Sequence, residues 1–321
     1  MHHSELIRSD IDSALLRLDG GYDHFLRQTP VWKLPGKALG LNCQEVWLKL
    51  EQLQVGGSFK ARGMLNRMLA NEIPASGVII ASGGNAGIAT AAVAHALGVP
   101  CEVFVPLVSS EAKRARLRGL GAEVVVTGDA YAQAFEACVA RQQVSGALLM
   151  HAYDQRDVVA GAATLAAEIE SQAGRPDSVL VSVGGGGLIA GVCGWFEDRV
   201  RVVALEPELA PTLFHARQAG RPVDVAVSGI AADSLGAKRI GDIAWDMTQR
   251  HVNDALLLSD DAIGAAQQWL WKELKLAVEP AAALGLAALR WGAYQPRADE
   301  KVCLILCGGN LDPATLSASP P

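Results

Sequence analysis

The sequence predicts an α/β fold built on parallel sheets. Three observations carry this reading: short β-branched runs alternate with longer helical stretches, those runs are apolar almost throughout, and glycine-rich segments follow several of them. The alternation is clear from about residue 78. VIIAS precedes a helical stretch at Ile88–Leu97, CEVFVP precedes Glu111–Leu120, and EVVVTG precedes Tyr131–Gln143. It continues through ALLMHA, the helix-like Val158–Ala173, SVLVSV, the stretch after Gly187 and VRVVALEP, and it returns near the end with KVCLIL. Strands that are apolar on both faces need helices on both sides, which is the setting of a parallel sheet. The chain shows no internal repeat, low-complexity linker or long charge block, and only the last residues, SASPP, look frayed.

With 321 residues, 50% of them hydrophobic, the chain is long enough for two lobes. A formal net charge of -6 provides no basic field for a phosphate backbone, so nucleic acid is not an expected partner. The apolar runs fall well short of the roughly 20 residues that cross a bilayer. The start, MHHSELIRSDID, has no apolar stretch behind a basic cluster, so a cytoplasmic protein is expected. Six cysteines, Cys43, Cys101, Cys138, Cys193, Cys303 and Cys307, lack CxxC spacing and read as reduced core thiols. The seven histidines are dispersed, and His95 falls inside an Ala-rich helical run, so they suggest no metal cluster.

Ligands of open parallel sheets bind beyond the carboxyl ends of the strands. Three glycine-rich segments lie at such places: ASGGNAG (Ala81–Gly87), SVGGGGLIAG (Ser182–Gly191) and LCGGN (Leu306–Asn310). The run Gly184–Gly187 has no side chains to block its N–H groups from converging on an anion at a helix start. Alone, such a run serves equally well as a plain turn. A dinucleotide fingerprint fits poorly, because it needs GxGxxG and a later acidic residue, for which only Glu206 is at hand. Upstream, Lys60 follows Phe59 directly in the Gly/Ser-rich loop of LEQLQVGGSFKARG (Leu50–Gly63). Taken alone, a lysine is most often a solvated surface charge.

Together, in order, KLEQLQVGGSFKARG, ASGGNAG, SVGGGGLIAG and LCGGN, with VEPAAA between the last two, resemble the fold-type-II pyridoxal-5'-phosphate (PLP) enzymes. More narrowly, they resemble the serine/threonine dehydratases and their relatives, over nearly the whole chain. The resemblance implies a tryptophan synthase β-like arrangement: a larger PLP-binding lobe from residues 1–64 and 152–321, a smaller lobe from 65–151, and the cofactor in the cleft. It makes Lys60 the Schiff-base lysine and the base at Cα, with Phe59 packing near the cofactor ring. Gly184, Gly185, Gly186, Gly187 and the Leu188 amide would hold the cofactor phosphate, Asn85 the ring 3'-oxygen, and Cys307 would face the pyridine nitrogen. Ser82, Gly83, Gly84, Asn85 and Ala86 would bind the substrate carboxylate. Glu279 is placed near the cofactor, although a carboxylate before Pro280 also suits a simple helix start. Ser234 and Gly236, in GIAADSLG, match a loop that passes over the cofactor.

The implied reaction is β-elimination of water from a 3-hydroxy amino acid, L-threonine or L-serine, giving a 2-oxo acid and ammonia. Neither loop offers an acidic side chain for the departing hydroxide, which leaves the cofactor phosphate as the expected proton donor. Several departures discriminate among relatives. Gly83 stands where serine racemases place a serine, so racemisation should be minor; Ala86 replaces the histidine usual in biosynthetic threonine dehydratases. HAYDQRDVVAG, by contrast, looks like the threonine enzymes, so substrate choice stays open between these and a bulkier 3-phenylserine or 3-hydroxyaspartate, as does a threonine synthase-like replacement. A silent sensor would be expected to have lost Lys60. In LEPELAPT, Glu206 and Ala210 supply two of the groups with which relatives hold a cation, divalent or monovalent, but Thr212 stands in place of the expected aspartate, so binding should be weak. With few residues after LCGGN, regulation through a C-terminal regulatory domain is not expected, and a homodimer is expected by analogy.

Overall fold

Among the described residues, 6–20 and 25–316 of the computed structural model, ten strands form two sheets. The SASPP end lies outside the described residues. In chain order the strands are β1 (Val31–Pro35), β2 (Glu45–Lys49), β3 (Val78–Ala81), β4 (Cys101–Val105), β5 (Glu123–Val126), β6 (Leu148–Met150), β7 (Ser178–Ser182), β8 (Arg201–Pro207), β9 (Val252–Leu258) and β10 (Lys301–Ile305). Strands from the two ends of the chain build a six-stranded sheet, ordered β1-β2-β10-β7-β8-β9, and the middle of the chain builds a four-stranded sheet, β5-β4-β3-β6. Every pairing is parallel except β1 with β2.

The helices are α1 (Arg8–Asp19), α2 (Lys60–Leu69), α3 (Asn85–Leu97), α4 (Glu111–Gly119), α5 (Tyr131–Ser145), α6 (Arg156–Ala173), α7 (Gly187–Phe196), α8 (Thr212–Ala219), α9 (Ala232–Leu235), α10 (Asp242–His251), α11 (Asp260–Leu274) and α12 (Pro280–Arg290). They cover the sheets so completely that β3 and β7 are buried at every position. Helices α3, α7 and α12 are correspondingly apolar nearly all round. The alternating rhythm did not reveal β1, β2 and β9. Strand β1 is an exposed edge that ends in proline, which only an edge tolerates, while β2 opens on Glu45 and closes on Lys49, and β9 has Asn253 and Asp254 near its start.

Two features fix α2, and therefore Lys60. Its backbone approaches α6 at paired glycines: a Cβ on Gly161 would lie 2.5 Å from the Arg62 carbonyl oxygen, and one on Gly63 would lie 2.6 Å from that of Val158. Beneath this contact lies a buried ionic network. Arg62 donates through Nε to Glu51 Oε2 at 2.9 Å and through Nη2 to Glu51 Oε1 at 2.8 Å, and Nη2 also meets Glu168 Oε2 at 2.9 Å. Lys49 Nζ completes it, donating to Glu168 and to the Thr29 carbonyl. All six cysteines are free and buried.

Helix α3 begins three residues earlier than the apolar pattern of Ile88–Leu97 indicates, because Gly84, extended, serves as its N-cap. Asn85 is thereby a first-turn helical residue, held at the carboxyl end of β3 rather than on a loose loop.

Candidate active site

The SFK loop runs beside the LCGGN loop. Ser58 pairs with Gly308 in an isolated antiparallel bridge, and the Phe59 N–H donates to the Cys307 carbonyl at 3.1 Å. Lys60 opens α2, and its Nζ donates to the Ala152 carbonyl at 2.6 Å and lies 4.9 Å from the centre of the Phe59 ring. Burial lowers the Lys60 pKa to about 8 against the upward pull of Cys307 and Glu279. A side chain placed this way has an unusually accessible neutral amine near physiological pH.

Opposite it, Gly184, Gly185, Gly186, Gly187 and Leu188 line the same narrow cavity as Phe59, Lys60 and Cys307. The Gly184 carbonyl accepts from Thr212 Oγ1 at 2.7 Å, and the Gly185 carbonyl accepts from the Gly241 N–H at 3.0 Å. Since a trans peptide points its C=O and N–H in opposite directions, the N–H groups of Gly185 and Gly186 face the other way. Gly186 has φ +88°, a conformation suited to glycine, and α7 starts at the next residue. The result is a set of N–H groups at a helix start that carry no side chains of their own.

The third wall holds polar side chains. Asn85 Nδ2 donates to Glu279 Oε1 at 2.7 Å, and Asn310 Nδ2 donates to Asn85 Oδ1 at 2.6 Å and to the Gly56 carbonyl at 2.7 Å. This network fixes the Asn85 amide and links α3, α12 and the LCGGN loop. Burial raises the Glu279 pKa to about 7, offset in part by its bond from Asn85 and by Lys60. Burial also pushes the Cys307 thiol far above its ordinary value, so it stays protonated and neutral. Beyond Asn85 and Glu279 a wider cavity of about 1150 Å³ opens, walled by Gly83 and Gly84 on one side and by Ser234 and Asp233 on another.

A family model described as pyridoxal-phosphate dependent enzyme matches residues 22–308. The chain belongs to that family. The chain is 35% identical to phenylserine dehydratase of Ralstonia pickettii over 316 residues, 95% of this chain and 94% of that protein. It is also 36% identical to L-threonine ammonia-lyase of Geobacter sulfurreducens over 277 residues, 85% of this chain and 69% of that one. Among solved structures it is similar to a T.th. threonine deaminase, with a TM-score of 0.86 and 33% identity over 97% of this chain and 99% of that one.

The cofactor of this PLP enzyme is pyridoxal phosphate, and the residues fit it. An anion cradle built of glycines, a desolvated amine, a fixed amide and a neutral thiol converge on one cavity. Of the residues expected at the site, Phe59, Lys60, Asn85, the four glycines, Leu188, Ser234, Glu279 and Cys307 line the narrow cavity. Gly83 and Gly84 line only the wider one. Ser82 and Ala86 line neither cavity, and Ala86 is buried. Gly236 ends α9 away from both walls.

The groups expected to hold a cation lie at the start of α8. Glu206 Oε1 accepts from the Leu213 N–H at 2.7 Å, Glu206 Oε2 accepts from the Phe214 N–H at 2.8 Å, and the Ala210 carbonyl accepts from the Thr212 N–H at 3.2 Å. These groups cap the first turn of α8. Among the described residues no three His, Cys, Asp or Glu side chains cluster to hold a metal.

Tyr153, Ser182, Leu235 and Ala281 also line the narrow cavity, and the sequence reading did not single them out. Tyr153 had a visible signal, because HAYDQRD follows directly on the carboxyl end of an apolar run, where sheet ligands gather. Its ring lies over the cradle: a Cβ on Gly185 would fall 2.3 Å from the ring carbons. Gly185→Ala is therefore expected to weaken cofactor binding by roughly ten- to a hundredfold through overpacking. Absorbance titration of the apoenzyme with PLP measures this directly, and unchanged affinity would remove the glycine loop from the phosphate site.

Proposed function

We propose that the enzyme eliminates water from a 3-hydroxy amino acid, L-threonine or L-serine, releasing a 2-oxo acid and ammonia. It is a PLP-dependent ammonia-lyase, and β-elimination from hydroxy amino acids is the chemistry of this branch of the family. The observation that carries the reading is the placement of the Lys60 amine between the glycine cradle and the Asn85–Glu279 pair, on a cavity that opens into a second, wider one.

Gly185 to Leu188 would hold the phosphate through their N–H groups, Asn85 would orient the ring oxygen and Phe59 would pack beside the ring. When bound, pyridoxal phosphate supplies the electron sink at the substrate Cα. Lys60 Nζ, neutral above about pH 8, accepts the Cα proton. The protonated Cys307 thiol supplies no charge to fix a proton on a ring nitrogen, which favours elimination over transamination. The Gly83–Gly84 backbone, at the start of α3, would take the substrate carboxylate. No side chain at Gly83 offers a base for the opposite face, which supports elimination over racemisation.

The size of the wider cavity favours a second substrate class. About 1150 Å³ beside Asn85 is far more than a methyl or hydroxymethyl side chain needs, and it would take the ring of 3-phenylserine. Lys113 and Arg116 on its wall would equally suit the second carboxylate of 3-hydroxyaspartate. The deciding measurement is 2-oxo acid release by the PLP-loaded enzyme from L- and D-serine, L-threonine, 3-hydroxyaspartate and 3-phenylserine. Oxo acid from the L-hydroxy amino acids is expected, with D-serine inert. Silence across the panel, with the cofactor bound, would overturn dehydration in favour of a replacement reaction. The same proposal places the enzyme in the cytoplasm as a homodimer; among the described residues no helix is long and apolar enough to cross a membrane.

A further inference from the structure

We propose that Glu279 is the acid that protonates the departing β-hydroxyl. The assignment rests on the dehydration reading above. Glu279 occupies the N-cap position of α12, yet its carboxylate makes no cap hydrogen bond. It turns instead to Asn85 Nδ2, 2.7 Å from Oε1, and packs so closely on the LCGGN loop that a Cβ on Gly308 would fall 2.1 Å from Oε1. The residue is 5% exposed, and Oε2 accepts from no donor among the described residues. A carboxylate committed to capping would point back along α12; this one faces the reaction space.

Its position is singular among the carboxyl groups of the described residues. Glu279 lines both the narrow cavity that holds Lys60 and the wider one beyond, whereas Asp233, Asp260, Asp261 and Asp312 line only the wider one. Among the other side chains on the narrow cavity, the Ser182 and Ser234 hydroxyls are weak acids, burial holds Tyr153 up at about 12 and pushes Cys307 higher still, and Lys60 is engaged as the base. Lys60 and Cys307 face Glu279 from α2 and the LCGGN loop, Asp233 faces it from α9 and Arg116 from α4. With burial the largest influence, a proton is retained to about pH 7, where it is available for transfer.

The protons and electrons balance without another reactant. Lys60 Nζ takes the Cα proton, and the C–H pair becomes the second bond between Cα and Cβ. The Cβ–O bond breaks with its pair on oxygen, the Glu279 proton joins that oxygen, and water leaves. Return of the proton from the Lys60 ammonium to the Glu279 carboxylate, across the cavity both line, resets the pair.

Leaving-group chemistry tests the assignment. Chloride departs from 3-chloroalanine without a proton, so this substrate bypasses the acid but needs everything else. In the holoenzyme, Glu279→Gln is expected to lower turnover of the preferred hydroxy amino acid by about 10²-fold or more. It should affect 3-chloroalanine far less, with the visible band of the bound cofactor unchanged. In the wild type, turnover of the hydroxy substrate should fall as pH rises through the Glu279 pKa, a limb missing with 3-chloroalanine. Equal losses on both substrates would overturn the proposal and leave Glu279 as a positioning residue for Asn85. An unimpaired Gln variant would overturn it outright. A wild type that processes 3-chloroalanine but no hydroxy amino acid would overturn the dehydration reading itself, and the acid with it.

Discussion

Lys60→Ala is expected to lower turnover by about 10³-fold or more, because one substitution removes both the covalent anchor of the cofactor and the base at Cα. The fold should tolerate the change. The Lys60 amine makes a single hydrogen bond, to the Ala152 carbonyl, and α2 is held by contacts that do not involve it, at Gly63, Gly161 and Arg62. The visible band of the holoenzyme should vanish while the thermal transition of the apoenzyme remains. Small primary amines added in solution should restore part of the turnover, since they supply the missing base without the side chain. Retained turnover in the unsupplemented variant would sink the assignment of Lys60. A pH series adds a signed test: the amine is neutral above its pKa of about 8, so the rate of cofactor loading onto the wild-type apoenzyme should rise with pH and level off above that value.

Arg62→Ala should have the largest effect on stability. The change leaves Glu51, which has no exposed surface, and part of Glu168 without their strongest partner, a situation that costs about 3–5 kcal/mol. Urea unfolding of the apoenzyme checks this. Replacing Glu51 and Arg62 together with apolar residues of similar volume should be much milder, because no charge is then stranded. Burial alone would raise the Glu51 pKa, but Arg62 and Lys49 outweigh it and hold the group below its ordinary value. Its contribution is therefore present above the ordinary carboxylate range and is lost as pH falls through the depressed value. The Arg62 variant should lose this acid-side dependence. An Arg62→Ala chain as stable as wild type would show that the α2–α6 packing alone secures the lysine.

The sequence was most informative where backbone, rather than side-chain reach, makes the site. The glycine run and Lys60 beside Phe59 are each ambiguous alone, and it was the order of the motifs, resembling the family, that marked them as candidates, because each motif is local in sequence. What stayed hidden depends on distant segments meeting. Tyr153 reaches the cradle only because the β6 end abuts α7, and Leu235 only because the short helix α9 folds over Gly184. The direction of the Glu279 carboxylate was equally unreadable: a glutamate before proline suits a helix cap, and only the arrival of Asn85 from the other sheet turns it away. Glu206 shows the same dependence on context: the resemblance implied a cation ligand, and in the fold its oxygens accept from the first-turn N–H groups of α8.

The two helices through which the chain passes between the sheets, α2 and α6, run side by side and touch at Gly63 and Gly161. The Lys60 amine, at the start of α2, donates to Ala152, in the loop that leads from β6 into α6. A swing of the four-stranded sheet hinged on these contacts would turn about an axle that passes close to Nζ. The far edge of that sheet, at β5, would travel further than the amine or than Asn85, which stays tied to Glu279 and Asn310, like a gate whose latch is mounted on the post. Substrates of different girth could then be admitted without disturbing the one bond that every turnover must reuse.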